Sequence, residues 1–250
     1  DDECRPAAIM GGHAAARGSA VYRSAATIAA GLAEAGLTVL TGGGPGAMEA
    51  AHLGARIGPG TTEVDDAIEA IAADPATRRF PLGANELLRP DGSYDPDALA
   101  RLHAWQIPAF TLAEETASDA HASIGIPTWL YGHEPPTPLA TRHAKYFENS
   151  IREDGLLALA VHGIVYLPGS AGTLQEVFQD AAQNHYRTVR GIFSPMVFFD
   201  VDGHWTERFR IRPVLRELFA DDDWHRVLFT DDVEAAVAFL DGFEVPAGTH

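Results

Sequence analysis

Twice in this chain a short apolar run stops at a cluster of glycines, and a helix-forming stretch begins immediately afterwards. Thr38-Val39-Leu40 runs into Gly42-Gly43-Gly44-Pro45-Gly46 and then Ala47 to Arg56. Later, Gly163 to Leu167 runs into Pro168-Gly169-Ser170-Ala171-Gly172 and then Thr173 to about Tyr186. Strand, glycine turn and helix in that order specify parallel strands joined by right-handed crossovers. The remaining segments fit the same alternation. Ala7 to Met10 reads as a strand ending at Gly11-Gly12, and Ser19 to Ala35 as an alanine-rich helix stopped by Gly36. Ile126 to Leu130 reads as a strand, followed by the proline-rich loop Glu134 to Pro138 and a long helix from Thr141 to Ala160. Strands at Met196 to Asp200 and Arg226 to Phe229 alternate with helices at Pro213 to Phe219 and Val233 to Leu240.

This pattern predicts an α/β chain folded as a doubly wound, Rossmann-like three-layer sandwich with a mainly parallel sheet. Residues 1–250 form a single domain in this reading. The stretch from Gly58 to Leu112 is rich in Asp, Pro and Arg and breaks the alternation. It reads as an elaboration on the sheet, with an amphipathic piece at Glu63 to Ala72, a turn at Arg89-Pro90-Asp91-Gly92 and a helix from Pro96 to Ala104. In such folds the ligand sits beyond the carboxyl ends of the strands, where both glycine turns lie.

The turns also narrow the chemistry. Glycines there permit torsions and close approaches barred to other residues, and a helix starting at the turn points free N–H groups at it. The result is an anion site suited to phosphate. Gly169, Ser170, Ala171, Gly172 and Thr173 form the richer cradle, because two hydroxyls add donors. Gly42, Gly44 and Ala47 match the spacing of a dinucleotide fingerprint, but the acid expected about 20 residues on falls at Glu63 in a polar, helix-like stretch. NAD binding is demoted accordingly. Neither turn carries the Gly-Lys-Ser/Thr of a P-loop.

Charge and composition exclude several classes. With 35 acidic and 18 basic residues, the net charge is −17, which opposes a sequence-independent grip on nucleic acid or an anionic membrane. No window approaches a transmembrane span of roughly 20 apolar residues. Cys4 stands alone, so no internal disulfide forms, and the 11 histidines include no helical ligand pair for a metal. The opening Asp-Asp-Glu-Cys-Arg lacks the pattern of a signal peptide, and a cytoplasmic location is the expectation.

Two charged residues near the turns are candidates. Glu176 lies three residues after Thr173. It reads equally well as a helix-start carboxylate, in a capping box with Thr173, or as a group within reach of a ligand held by the loop. Arg152, in Asn149-Ser150-Ile151-Arg152-Glu153-Asp154, would ordinarily be a solvated face residue. Gln179 and Gln183 have the helical spacing to share a face with Glu176.

The motifs Thr41-Gly42-Gly43-Gly44-Pro45-Gly46-Ala47-Met48 and Pro168-Gly169-Ser170-Ala171-Gly172-Thr173-Leu174-Gln175-Glu176 resemble those of the Lonely Guy family, long labelled possible lysine decarboxylases. Ser170 replaces the second glycine of the family's P-G-G-x-G-T-x-x-E. The stretches Tyr146 to Leu157 and Gln179 to Tyr186 look closer to the bacterial branch that hydrolyses nucleoside 5′-monophosphates. The resemblance covers Ala7 to Gly54 and about Ile124 to Phe199, and the insert departs from the short plant-type members.

By that resemblance the chain would be a phosphoribohydrolase. It would cut the N-glycosidic bond of a nucleoside 5′-monophosphate to give free base and ribose 5-phosphate, without cofactor or metal. Glu176 takes the place of the family's essential glutamate and Arg152 that of its active-site arginine, although the usual R-K pair reads Arg152-Glu153. Gly169 to Thr173 would hold the phosphate, and Gly12, Gly43, Gly44 and Met48 would line the nucleotide pocket. A homodimer is implied in the same way. Three rivals remain: a non-catalytic nucleotide carrier, a NAD-dependent enzyme resting on the Gly42 turn, and a hydrolase for cytokinin riboside monophosphates. The decarboxylase label fails on composition, because a pyridoxal phosphate enzyme needs a Schiff-base lysine and Lys145 is the only lysine, placed at the start of the predicted long helix.

Overall fold

The computed structural model describes residues 4–58, 61–83, 86–118, 120–129 and 134–246. Seven strands form one parallel sheet. They are β1 (Arg5–Met10), β2 (Leu37–Thr41), β3 (Ser123–Gly125), β4 (Arg142–His143), β5 (Ile164–Tyr166), β6 (Met196–Phe199) and β7 (Val227–Thr230), in the spatial order β4-β3-β2-β1-β5-β6-β7. β1 and β5 pair in parallel through Ala8↔Ile164, Ile9↔Val165 and Met10↔Tyr166. The chain winds outward from this pair in both directions, which makes the β1/β5 boundary the topological switch point.

Side chains alternate across the strands. Ala7 and Ile9 of β1 pack with Val39, Val165 and Val197 on one face; Ala8 and Met10 pack with Leu40, Tyr166 and Phe198 on the other. Helices cover both faces, as the buried strands require. The first layer holds α1 (Ala20–Glu34), α2 (Ala47–Ile57), α3 (Thr61–Ile71) and α8 (Val233–Asp241); the second holds α5 (Asn149–Leu159), α6 (Ala171–Tyr186) and α7 (Ile211–Leu218). The expected three-layer α/β fold is therefore present.

The alanines of α1 have a packing purpose. A Cβ built on Gly54 of α2 would lie 1.8 Å from the Ala26 carbonyl oxygen, so the two helices touch backbone to backbone.

The elaboration contains α3, whose Ile68 and Ile71 are fully buried in the first layer, and α4 (Pro96–Glu115). α4 continues well past Ala104 and keeps Pro108 inside. Leu82, Ala98, Leu102 and Trp105 form a small cluster of their own. A buried ion pair fastens α4 to the main body. Arg17, on the loop after β1, donates to both Glu49 oxygens at 2.8 and 2.9 Å and to the Trp105 carbonyl at 2.8 Å. Tyr22 adds a third hydrogen bond to Glu49 at 2.9 Å. Removing one partner strands the other charge, so Arg17→Ala is expected to cost about 3–5 kcal/mol in urea unfolding.

Several boundaries differ from the sequence reading. β3 ends at Gly125, so Ile126 follows the strand; Leu130 lies outside the described residues. The helix expected from Thr141 to Ala160 is instead the edge strand β4, a loop, and then α5 from Asn149. Lys145 consequently sits in that loop, 3.8 Å over the Trp129 ring. Among the described residues no helix is long and apolar enough to cross a membrane.

Candidate functional site

A cleft of about 310 Å³ opens at the carboxyl ends of β1, β2, β3 and β5, directly over the switch point. Its size and place are those of a small-molecule site. The Gly11-Gly12 turn at the end of β1 lies between the two glycine turns and touches both. Gly12 donates to the Pro168 carbonyl at 3.1 Å, and a Cβ on Gly12 would stand 3.4 Å from the Gly169 Cα. Gly46 has φ +70°, and a Cβ there would lie 2.5 Å from the carbonyl oxygens of Gly12 and His13, so no other residue fits.

One side of the cleft is the start of α6. Ser170 is its N-cap, and the first-turn N–H groups of Ala171, Gly172 and Thr173 have no intrahelical acceptor. Ser170, Gly172 and Thr173 line the cleft. Gly169 lies behind them; a Cβ on it would be 2.0 Å from Thr173 Oγ1. Because α6 begins at Ala171, Glu176 sits in the second helical turn and not the first. Ser170, not Thr173, occupies the cap, so the expected capping box is not formed.

Glu176 instead turns into the cleft, 8% exposed, with Arg152 Nη1 3.7 Å from its carboxylate. Burial pushes the Glu176 pKa up to about 7; the Arg152 charge opposes this, and the nearby Glu153 carboxylate adds to it. Arg152 is brought in from α5, where it is buried rather than solvated. Room for its guanidinium comes from Gly42, on which a Cβ would lie 2.9 Å from Arg152 Nη1 and 2.8 Å from Met48 Sδ. Arg152 Nη2 donates to Asn149 Oδ1, while Nε is buried without a hydrogen-bond partner among the described residues. A buried, unsatisfied donor in a cleft wall calls for an acceptor from a ligand or water.

Of the predicted pocket residues, Gly12, Gly44 and Met48 line the cleft. Gly43 does not. It has φ +72°, packs against Gly125 and accepts the Thr137 N–H at 2.8 Å, so it joins the turn to the sheet. Gln179 and Gln183 face away from the site and donate to Asp154 of α5 at 3.0 and 2.8 Å. Glu63 is exposed on α3, not at a strand end, which leaves the dinucleotide fingerprint without its ribose acid.

Other groups at the cleft escaped the sequence reading. Glu153 is buried and accepts from Asn149 at 2.6 Å and Gln175 at 2.7 Å. Across the mouth, His13 Nδ1 and Glu134 Oε1 stand 3.6 Å apart on loops that follow β1 and β3. Beneath the first turn, His52 bridges Thr41 at 2.8 Å and Ser123 at 3.0 Å. Burial holds its pKa down to about 3, so it stays a neutral strut. One turn beyond Glu176, Asp180 accepts the Tyr166 hydroxyl at 2.8 Å, and burial raises its pKa to about 7.

Fold and site together define a doubly wound, Rossmann-like α/β protein with an acid-lined small-molecule cleft at its switch point. No family model and no curated protein sequence matches the chain. Among solved structures it is similar to the molybdenum cofactor binding protein from the phototrophic bacterium Rippkaea orientalis. That alignment covers 96% of this chain and 97% of the other, with a TM-score of 0.51 and 14% identity. The likeness is one of fold.

Proposed function

We propose that the cleft binds a nucleoside 5′-monophosphate and hydrolyses its N-glycosidic bond, releasing base and ribose 5-phosphate, as in the Lonely Guy family whose motifs the chain resembles. The observation that carries this reading is the buried Glu176–Arg152 pair, 3.7 Å apart, in the same cleft as the open N-terminus of α6. The phosphate is held by the N–H groups of Ala171 to Thr173 and the hydroxyls of Ser170 and Thr173. This anchor is made equally in the ground and transition states and places C1′ beside Glu176, so its loss appears in KM.

Cleavage passes through an oxocarbenium-like state, which the Glu176 carboxylate stabilises electrostatically. The C1′–N bond breaks with its electron pair leaving on the base. A water oxygen bonds to C1′, and its proton passes by way of Glu176 to the departing base. Arg152 keeps the carboxylate oriented, and its free Nε–H is available to a sugar or base oxygen. The homodimer belongs to the same reading.

The test is a product assay with AMP, GMP, IMP, CMP and UMP, separating free base and ribose 5-phosphate by chromatography. Adenosine and NAD run alongside. Base released from monophosphates but not adenosine supports the reading. Nucleotide binding without release leaves a carrier in front, a role in keeping with the cofactor-binding name of the similar structure. The absence of both release and binding removes the assignment. Because Glu176 acts ionised, kcat/KM should rise with pH through about 7 and level off above it. A profile flat from pH 5 to 8 would contradict that role.

A further inference from the structure

The chain after β6 doubles back to the phosphate loop. Asp202 and Gly203, at φ +53° and +66°, turn it sharply into a single π-helical turn, His204–Arg208. Two consecutive residues of this turn are hydrogen-bonded to the segment that forms the cradle. Trp205, fully buried, donates its indole N–H to the Tyr166 carbonyl at 2.9 Å, at the last residue of β5. His204, 8% exposed, accepts the Gly169 N–H on Nε2 at 3.3 Å. The imidazole is wedged between Trp205 and Phe209, with ring centroids 4.7 and 4.9 Å away. Asp200 fixes the turn by accepting from the Trp205 N–H at 2.6 Å and from the Thr206 hydroxyl.

π-Turns are rare and are frequently found at functional sites. Only a neutral imidazole with its proton on Nδ1 can accept from Gly169, and burial together with the Arg208 charge keeps the His204 pKa low. Gly169 is the residue that turns β5 into the cradle, so the direction of its N–H sets where the following N–H groups point.

We infer that His204 is a positioning residue for the phosphate cradle: its Nε2 holds the Gly169 peptide so that the N–H groups of Ala171, Gly172 and Thr173 converge on a phosphate monoester. This rests on the phosphate-binding part of the proposed function and not on the hydrolytic step. His204 does not touch the reacting bond, so its removal should act on phosphate affinity and leave chemistry alone.

The experiment uses the full chain and ribose 5-phosphate, titrated by calorimetry into the parent, H204F and H204Q. Phenylalanine keeps the ring packing without an acceptor; glutamine returns an acceptor close to the Nε2 position. H204F is expected to weaken binding about tenfold, the scale of one lost hydrogen bond, and H204Q to recover most of the loss. In the hydrolysis assay H204F should raise KM while kcat stays close to the parent value. Equal affinity in parent and H204F overturns the inference, as does equal weakening in H204F and H204Q. If H204F does not fold, H204L takes its place. A parent that binds ribose 5-phosphate but hydrolyses nothing overturns the proposed reaction and leaves this inference standing. A parent that does not bind ribose 5-phosphate overturns both.

Discussion

Glu176→Gln is expected to lower kcat for nucleoside monophosphate hydrolysis by about 10²–10⁴-fold while leaving KM nearly unchanged. The amide keeps the size of the carboxyl and its hydrogen-bonding reach, but it has no charge for an oxocarbenium ion and cannot take a proton from water. The same substitution should make the protein more stable at pH 8. The folded pKa of Glu176 is raised from 4.5 to about 7, so the folded state binds the proton more tightly than the unfolded chain. The stability this group contributes is complete below pH 4.5 and is lost as pH rises through about 7. Asp180 adds a parallel loss between 3.8 and about 7. Urea midpoints of parent and Glu176→Gln should therefore coincide near pH 4 and separate by pH 8, the variant being the more stable. Activity lost together with stability would show that Glu176 holds the fold instead of serving the cleft.

Gly54→Ala should be among the most destabilising single-methyl changes in the chain. Its Cβ would lie 1.8 Å from the Ala26 carbonyl oxygen and 2.6 Å from the carbonyl carbon, both backbone atoms that no rotamer change can move. Relief requires α1 and α2 to separate along the contact on which the first layer is built, at a cost of about 3 kcal/mol. The control is Gly172→Ala, also in a helix, where a Cβ meets nothing within 4 Å. Chemical denaturation should show a large drop in midpoint for the first and little or none for the second. Equal midpoints would mean that the helices already stand farther apart than described.

Much of this arrangement could be read from the residues. Each predicted strand around the switch point is a short apolar run ended by Gly or Pro, and such runs lie in the interior of a parallel sheet. β4 escaped because it is only two residues long, Arg142-His143, both exposed, with no apolar alternation to announce it. Ala140, Ala144 and the alanines beyond gave the surrounding stretch a helical look. Gly42 carried a readable signal of backbone freedom, but the reason for it was tertiary: it admits the guanidinium of a helix 110 residues away. Burial of Arg152 could not be inferred from its polar neighbours Asn149, Glu153 and Asp154. The π-turn at His204 was illegible for a related reason, since its partners are a carbonyl on β5 and an N–H in the cradle.

The order of strands divides the cleft unevenly. Every wall residue before position 148 comes from the segments that follow β1, β2 and β3, among them Gly12, His13, Thr128 and Glu134 on loops, and Met48 in the first turn of α2. Arg152, Glu153, Glu176 and the open end of α6 all come from after it. The charged pair and the open start of α6 thus lie in one contiguous block of about 25 residues, while the loops that frame the rest of the cleft are spread between positions 11 and 134. Mutational drift in those loops can reshape what enters the cleft without disturbing the block, so a lineage built on this chain is free to change its ligand faster than it changes its chemistry.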